Sequence, residues 1–310
     1  MPVGSPDAPP ADALMTASSP DTPTTPARLR SVLYIPGANE RALEKARDLP
    51  ADALILDLED AVAPAAKDEA RERVCGLVAS GAYGTRQVAI RANSIGTEWH
   101  EADLRAAAQA GPTAVVIPKV SSGEDVLGAE RVLVDAGAPE HTRVWAMLET
   151  PAAVLRASEI VTASDRLSVL VMGTNDLAKE LYAELVSGRA PLLTGLSLCL
   201  LAARAAGKAI LDGVYNGVRD LEGFEAECLQ GRQLGFDGKT LIHPSQVEPC
   251  NRVFTPSAEE VEYARRVIEA FEAAEQAGAG VATVDGKLIE NLHVDNARRA
   301  LALADPAVET

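Results

Sequence analysis

Between residues 31 and 244 the chain repeats one pattern eight times: a short β-branched or aliphatic run, then a longer segment with helical spacing. The runs are SVLYI (31 to 35), DALILD (52 to 57), QVAIRA (87 to 92), TAVVIP (113 to 118), VWAMLE (144 to 149), LSVLVM (167 to 172), KAILDG (208 to 213) and one ending in KTLIHP (239 to 244). Such alternation marks βα units, whose parallel strands are buried on both faces and so read as near-continuous apolar runs. Eight units suit a closed parallel barrel, with every helix outside and every βα loop at one mouth. An open doubly wound sheet is the other assembly. The first βα turn, Pro36-Gly37-Ala38-Asn39-Glu40, lacks a G-x-G-x-x-G fingerprint, and no Walker P-loop occurs elsewhere. The expectation is an α/β chain forming a single (β/α)8 TIM barrel.

The intervening segments carry helix start and stop signals. Over 151 to 161, Thr150 can cap, Pro151 supplies the first helical φ, and Val154, Ala157 and Val161 share a face. Ser257 with Glu260 forms a capping box, and Gly278 can end that helix. Asp220 opens another helix, which Gly235 closes. After the barrel, VATVDGKLIE (281 to 290) places an Asp285-Gly286 turn between two short runs, and a helical segment follows. This hairpin-helix appendage must pack outside the closed barrel, cover its mouth, or reach a neighbouring subunit. The domain reading is therefore a disordered tail (1 to 28), a catalytic barrel (29 to 254), and a terminal helix with a lid-like appendage (255 to 310).

Composition narrows the functional classes. A net charge of -16 disfavours nucleic acid and anionic membranes as partners, since both demand clustered Lys and Arg. Cys75, Cys199, Cys228 and Cys250 form no C-x-x-C pair, and reduced thiols point to the cytoplasm. No apolar run is long enough to span a bilayer. Residues 1 to 27 hold seven prolines and no Lys or Arg, so they lack the basic start of a targeting peptide.

In a β/α barrel the polar residues at the carboxyl ends of strands converge on the active site. Here those ends are Asp57-Leu58-Glu59-Asp60, Arg91 followed by Asn93, Pro118-Lys119, Glu149-Thr150, Gly173-Thr174-Asn175-Asp176, Asp212 and His243-Pro244. Glu149 and Asp176 come from adjacent strands, and such a carboxylate pair attracts a hard divalent cation; Mg2+ commonly takes one or two protein carboxylates. The alternative is that both are helix-start carboxylates capping amides. Arg91 leaves an aliphatic strand and needs a partner, either in an ion pair with Glu59 or Asp60 or as an electrophile facing a substrate carbonyl; the two are compatible. Period 2 places Asp57 and Glu59 on one face of a buried strand.

Taken together, RSVLYIPG (30 to 37), ILDLEDAV (55 to 62), IRANS (90 to 94), VIPKV (116 to 120), MLET (147 to 150), MGTNDL (172 to 177) and GFDGKTLIHPSQV (235 to 247) resemble the citrate lyase β subunit-like branch of the HpcH/HpaI aldolase family. That branch includes malyl-CoA and citramalyl-CoA lyases, and the resemblance covers roughly residues 30 to 300. It implies a (β/α)8 barrel with Mg2+ on Glu149 and Asp176, Mn2+ being able to substitute, and Arg91 on the reacting carbonyl. Glu59 and Asp60 would orient Arg91 and metal-bound waters. It implies an acyl-CoA ligand, with Arg30, Lys45 and Lys239 as candidates for its phosphates and the backbone of Ile242, His243 and Pro244 for adenine. Ordinary surface charge is the competing account of the three cations. The family also implies a homotrimer or homohexamer, in which a carboxylate of the appendage, often a neighbour's, serves as general acid/base.

One motif departs from the family pattern. The lyases carry a motif like G-x-M-I-D, whereas this chain has Gly286-Lys287-Leu288-Ile289-Glu290. The extra methylene of Glu290 moves the carboxylate by about an ångström, on the scale to which catalysis is sensitive. The GTNDL and IENLHV variants are similar to the branch that hydrolyses (3S)-malyl-CoA. The leading expectation is a Mg2+-dependent lyase cleaving malyl-CoA or an analogue such as β-methylmalyl-CoA or citramalyl-CoA. A (3S)-malyl-CoA thioesterase is the alternative. A CoA-ester-binding subunit without catalysis is the reading from a different class, and Glu290 argues against it.

Overall fold

Each of the eight runs forms a parallel strand, and the strands close on themselves in chain order. They are β1 (Ser31–Pro36), β2 (Ala53–Asp57), β3 (Gln87–Arg91), β4 (Ala114–Ile117), β5 (Arg143–Leu148), β6 (Leu167–Met172), β7 (Ala209–Asp212) and β8 (Gly238–Leu241), with β8 pairing back onto β1. The computed structural model describes residues 28 to 304. The expected tail lies outside the described residues except for Arg28.

Around the barrel run α1 (Glu40–Lys45), α2 (Lys67–Ala79), α3 (His100–Ala110), α4 (Gly123–Asp135), α5 (Pro151–Leu155), α6 (Ala157–Val161), α7 (Thr174–Glu180), α8 (Leu193–Ala205), α9 (Leu221–Leu234) and α10 (Val247–Phe254). The expected single helix over 151 to 161 is two helices, because Arg156 leaves helical geometry at φ -110°, ψ 15°. Both pieces still pack against α8. The caps form as anticipated: Thr150 accepts from Ala153 N–H, Asp220 from Gly223 N–H, and Gly235 ends α9 in the left-handed conformation.

Period 2 sorts the strand residues into two cores. Val32, Ala53, Ile55, Ala89, Ala114, Val116, Trp145, Met147, Val169, Val171 and Leu211 fill the barrel interior. Trp145 is the one aromatic among these buried residues and shares the interior with the small side chains of Ala53, Ala89 and Ala114, so an aromatic-poor chain still plugs its barrel. The alternate residues, such as Leu33, Leu54, Ile90, Ile117 and Leu148, join the helices in a second, outer core.

The chain continues into α11 (Ala258–Gln276), the hairpin β9 (Ala282–Val284) and β10 (Lys287–Ile289), and α12 (Asn291–Leu303). The Ser257–Glu260 capping box opens α11, and the hairpin turns on Asp285 and Gly286, at φ 49° and 74°. Val267, Phe271, Val284, Ile289 and Val294 make a small core of their own. Arg299 pairs with Asp237 at 2.6 Å, and Arg232 with Glu260 at 2.6 Å. Asp237 immediately precedes β8 and Arg232 is in the last turn of α9, so this unit is anchored at the amino-terminal end of the barrel, opposite the mouth. Among the described residues no helix is long and apolar enough to cross a membrane.

Candidate active site

Seven strand ends and their loops converge on a cavity of about 380 Å³, walled by Tyr34, Asp57, Asp60, Arg91, Met147, Glu149, Asp176 and Ile242 among others. Arg91 closes β3, and the β2–β3 register sets Asp57 directly beside it. Arg91 Nε donates to Asp57 Oδ1 at 2.6 Å and Nη2 to Oδ2 at 2.7 Å. Its Nη1 lies 3.0 Å from Glu59 Oε2 and 3.6 Å from Asp60 Oδ2, and the guanidinium stacks 4.9 Å above the Tyr34 ring. The expected pairing with Glu59 and Asp60 is present, but the principal partner is Asp57. Asp57 also accepts from the Glu59 and Ala61 amides, so one carboxylate fixes both the arginine and the turn carrying Glu59.

Glu59 is itself a hub. Its Oε1 accepts from Lys119 Nζ at 3.2 Å and from the Ser94 hydroxyl. Beneath it Lys67, 6% exposed, donates to the Leu58 and Glu59 carbonyls at 2.8 and 2.6 Å. Asp103 on α3 accepts from the backbone and side chain of Asn93, holding the loop that presents Ser94.

Glu149 follows β5 and is 1% exposed. Its Oε1 accepts from the Lys119 amide at 2.7 Å. Burial first, and then the like charges of Glu59 and Asp176, push its carboxyl from an ordinary 4.5 up to about 7. Asp176, in the first turn of α7, is half-buried and lines the same cavity. Among the described residues no three His, Cys, Asp or Glu side chains form a preformed metal cluster. A carboxylate raised by burial and by neighbouring charge, beside a second carboxylate in an open cavity, fits Mg2+, which needs one or two protein oxygens and keeps water on its other positions.

Gly173 is required by this packing. A Cβ there would fall 2.3 Å from Glu149 Oε2. Gly173→Ala is therefore expected to displace the carboxylate and to weaken divalent-cation affinity about 10- to 100-fold by titration calorimetry, with the fold retained.

The other expected site residues divide. Ile242, His243 and Pro244 are exposed beside the mouth, and Ile242 borders the cavity. Lys45 is exposed in the last turn of α1. Arg30 precedes β1 and is held by Asp52 at 2.8 and 2.9 Å and by Thr255 at 2.7 Å, roughly 20 Å from the mouth by strand rise. Lys239 is fully buried, pointing out of the barrel onto Asp212 at 3.1 Å and Glu227 at 2.8 Å. Neither cation lines the mouth cavity, and each is held in an ion pair away from it. Glu290 is exposed at the start of α12, its amide donating to His293 Nδ1, while His293 and Asn296 share a cleft with Arg232 and Pro256 at the opposite end. Within one chain it is not gathered with Arg91.

Two carboxylates and a clamped arginine gather at the carboxyl-terminal mouth of a closed parallel barrel, the end at which β/α-barrel enzymes carry their active sites. The chain belongs to the HpcH/HpaI aldolase/citrate lyase family, whose model matches residues 30–244. It is 54% identical to a (3S)-malyl-CoA thioesterase of Cereibacter sphaeroides over 276 residues, 89% of this chain and 94% of that protein. It is 37% identical to the citrate lyase subunit beta of Escherichia coli, covering 89% and 93% of the two chains. The protein CitE of Mycobacterium tuberculosis, solved with magnesium, acetoacetate and coenzyme A, superimposes with a TM-score of 0.70 at 30% identity, covering 88% of this chain and 97% of that one.

Proposed function

We propose that the protein is a Mg2+-dependent enzyme acting on a malyl-CoA-type thioester, and that hydrolysis to malate and CoA is its principal outcome. The observation that carries the metal-dependent reading is the buried Glu149 carboxylate sharing a cavity with Asp176 and Arg91, its carboxyl raised by burial and then by its acidic neighbours. Its ordering of outcomes reverses the leading expectation from sequence motifs. The 54% identity to a thioesterase, against 37% to a lyase subunit, supports that reversal, as does Glu290 where the lyase motif has aspartate.

Glu149 and Asp176 would hold the cation, which supplies Lewis-acid polarisation of substrate oxygens. Arg91, immobilised by Asp57 and Glu59, donates Nη1 to the thioester oxygen as negative charge develops there. Because Arg91 is already locked, little reorganisation accompanies that donation. Glu290 of a second copy is the candidate base for water, since in its own chain it lies at the far end of the barrel; a homotrimer or homohexamer supplies such a copy. The CoA nucleotide lies over the rim near Ile242 to Pro244. Four free cysteines agree with a cytoplasmic setting.

The test is product identity. Incubated with malyl-CoA and Mg2+, the protein is expected to release malate and free thiol, followed by chromatography and a thiol reagent. Acetyl-CoA plus glyoxylate as the sole products would establish the lyase instead, and binding without turnover would leave a non-catalytic subunit.

A further inference from the structure

Lys119 is one of four non-glycine residues in the described chain with a left-handed backbone, at φ 53°. A lysine has no intrinsic reason to adopt that conformation, which glycine reaches without strain. Two contacts account for it, one from the backbone and one from the side chain. In this conformation the Lys119 amide donates to Glu149 Oε1 at 2.7 Å. The same turn lays the ammonium across the mouth, with Nζ 3.2 Å from Glu59 Oε1 and 3.2 Å from Ser94 Oγ. Glu59 then offers its other oxygen to Arg91 at 3.0 Å.

We propose that Lys119 is a positioning residue with two separable functions: its backbone amide aims Glu149, and its ammonium sets Glu59 against Arg91. This rests on the proposed metal-dependent activity. Asp57, Glu59, Asp60, Glu149 and Asp176 surround the mouth with carboxylates, and among the described residues Arg91 and Lys119 are the cations whose side chains pair with the first three. Without the ammonium, Glu59 Oε1 keeps only the Ser94 hydroxyl, and the carboxylate is free to turn its whole charge onto Arg91. Asp57, Glu59 and Asp60 together then over-neutralise the guanidinium, which becomes a weaker donor to a developing anion. Without the left-handed turn the amide no longer faces Glu149, and the carboxylate loses that backbone donor.

The two functions separate by substitution. Lys119→Gly and Lys119→Met keep the amide and lose the ammonium; Lys119→Val also disfavours the left-handed turn, because branching at Cβ crowds it. Mg2+ affinity, measured by calorimetry without substrate, is expected to stay within about twofold of wild type for Gly and Met and to weaken about tenfold or more for Val. Turnover at saturating Mg2+ is expected to fall about tenfold in Gly and Met, chiefly in kcat, and to recover largely in Lys119→Arg. Equal Mg2+ affinity in the Val and Gly variants would overturn the backbone function. Wild-type kcat in Lys119→Met, or no recovery in Lys119→Arg, would overturn the side-chain function. Thermal unfolding of each variant separates misfolding from either effect, and Lys119→Thr, also branched at Cβ, takes the place of Val in the comparison with Gly if the Val variant does not fold. Failure of the wild-type protein to bind Mg2+ or to turn over malyl-CoA would instead defeat the underlying activity.

Discussion

Glu149→Gln is expected to lower Mg2+-dependent kcat/KM by at least about 10³-fold, because a neutral amide would hold the cation poorly and the Lewis-acid polarisation the cation would supply contributes several kcal/mol. The same substitution has a second signature in the metal-free protein. Burial holds the folded carboxyl near 7 instead of its ordinary 4.5, so between those values the folded state carries a proton that the unfolded state has lost. Stability from this group is therefore full below pH 4.5 and declines as pH rises to 7, by up to about 3 kcal/mol. Calorimetric melting without metal should show that decline, Mg2+ at pH 7.5 should reverse it, and Glu149→Gln should abolish both. A variant that melts with the wild-type pH slope, or that keeps Mg2+-dependent turnover, would remove Glu149 from the site.

Arg91→Lys is expected to retain charge and lose function. An ammonium cannot reproduce the paired bonds to Asp57 at 2.6 and 2.7 Å while also presenting a donor toward Glu59 and the cavity. A fall in kcat of about 10² to 10³-fold is expected, the usual cost of removing one oxyanion donor. Arg91→Met goes further, because Asp57 and Glu59 are left buried beside an apolar chain, and destabilisation of about 3–5 kcal/mol is expected by denaturant unfolding. Unchanged kcat in Arg91→Lys would assign the arginine to scaffolding alone.

The barrel was legible because each strand run is short, apolar and followed by helical spacing, and because the caps at Thr150, Asp220 and Ser257 are local chemistry. The carboxylate ends were legible from the rule that strand termini face the mouth. That rule also excludes Arg30, which precedes β1 and sits at the other end. Period 2 likewise turns Lys239 outward, since its neighbours on β8 alternate with it. Asp57 as the chief partner of Arg91 was not legible, because it depends on the β2–β3 register, a relation between segments. Lys119 was visible as a strand end, yet a backbone angle decides its importance. Tyr34 left a faint signal, an aromatic residue two positions after the inward-facing Val32.

The cavity has a solid floor: Trp145 and its alanine neighbours fill the barrel beneath Met147 and Tyr34. A volume of about 380 Å³ is at the small end of ligand sites. Whatever part of a ligand enters it is judged by a few strand residues, and the remainder lies across loops of independent length. The reacting end and the carrier end of a substrate are then under separate hereditary control. Drift in the rim can exchange one carrier for another without disturbing the floor, and a single change in the floor can admit a new acid while the carrier stays the same.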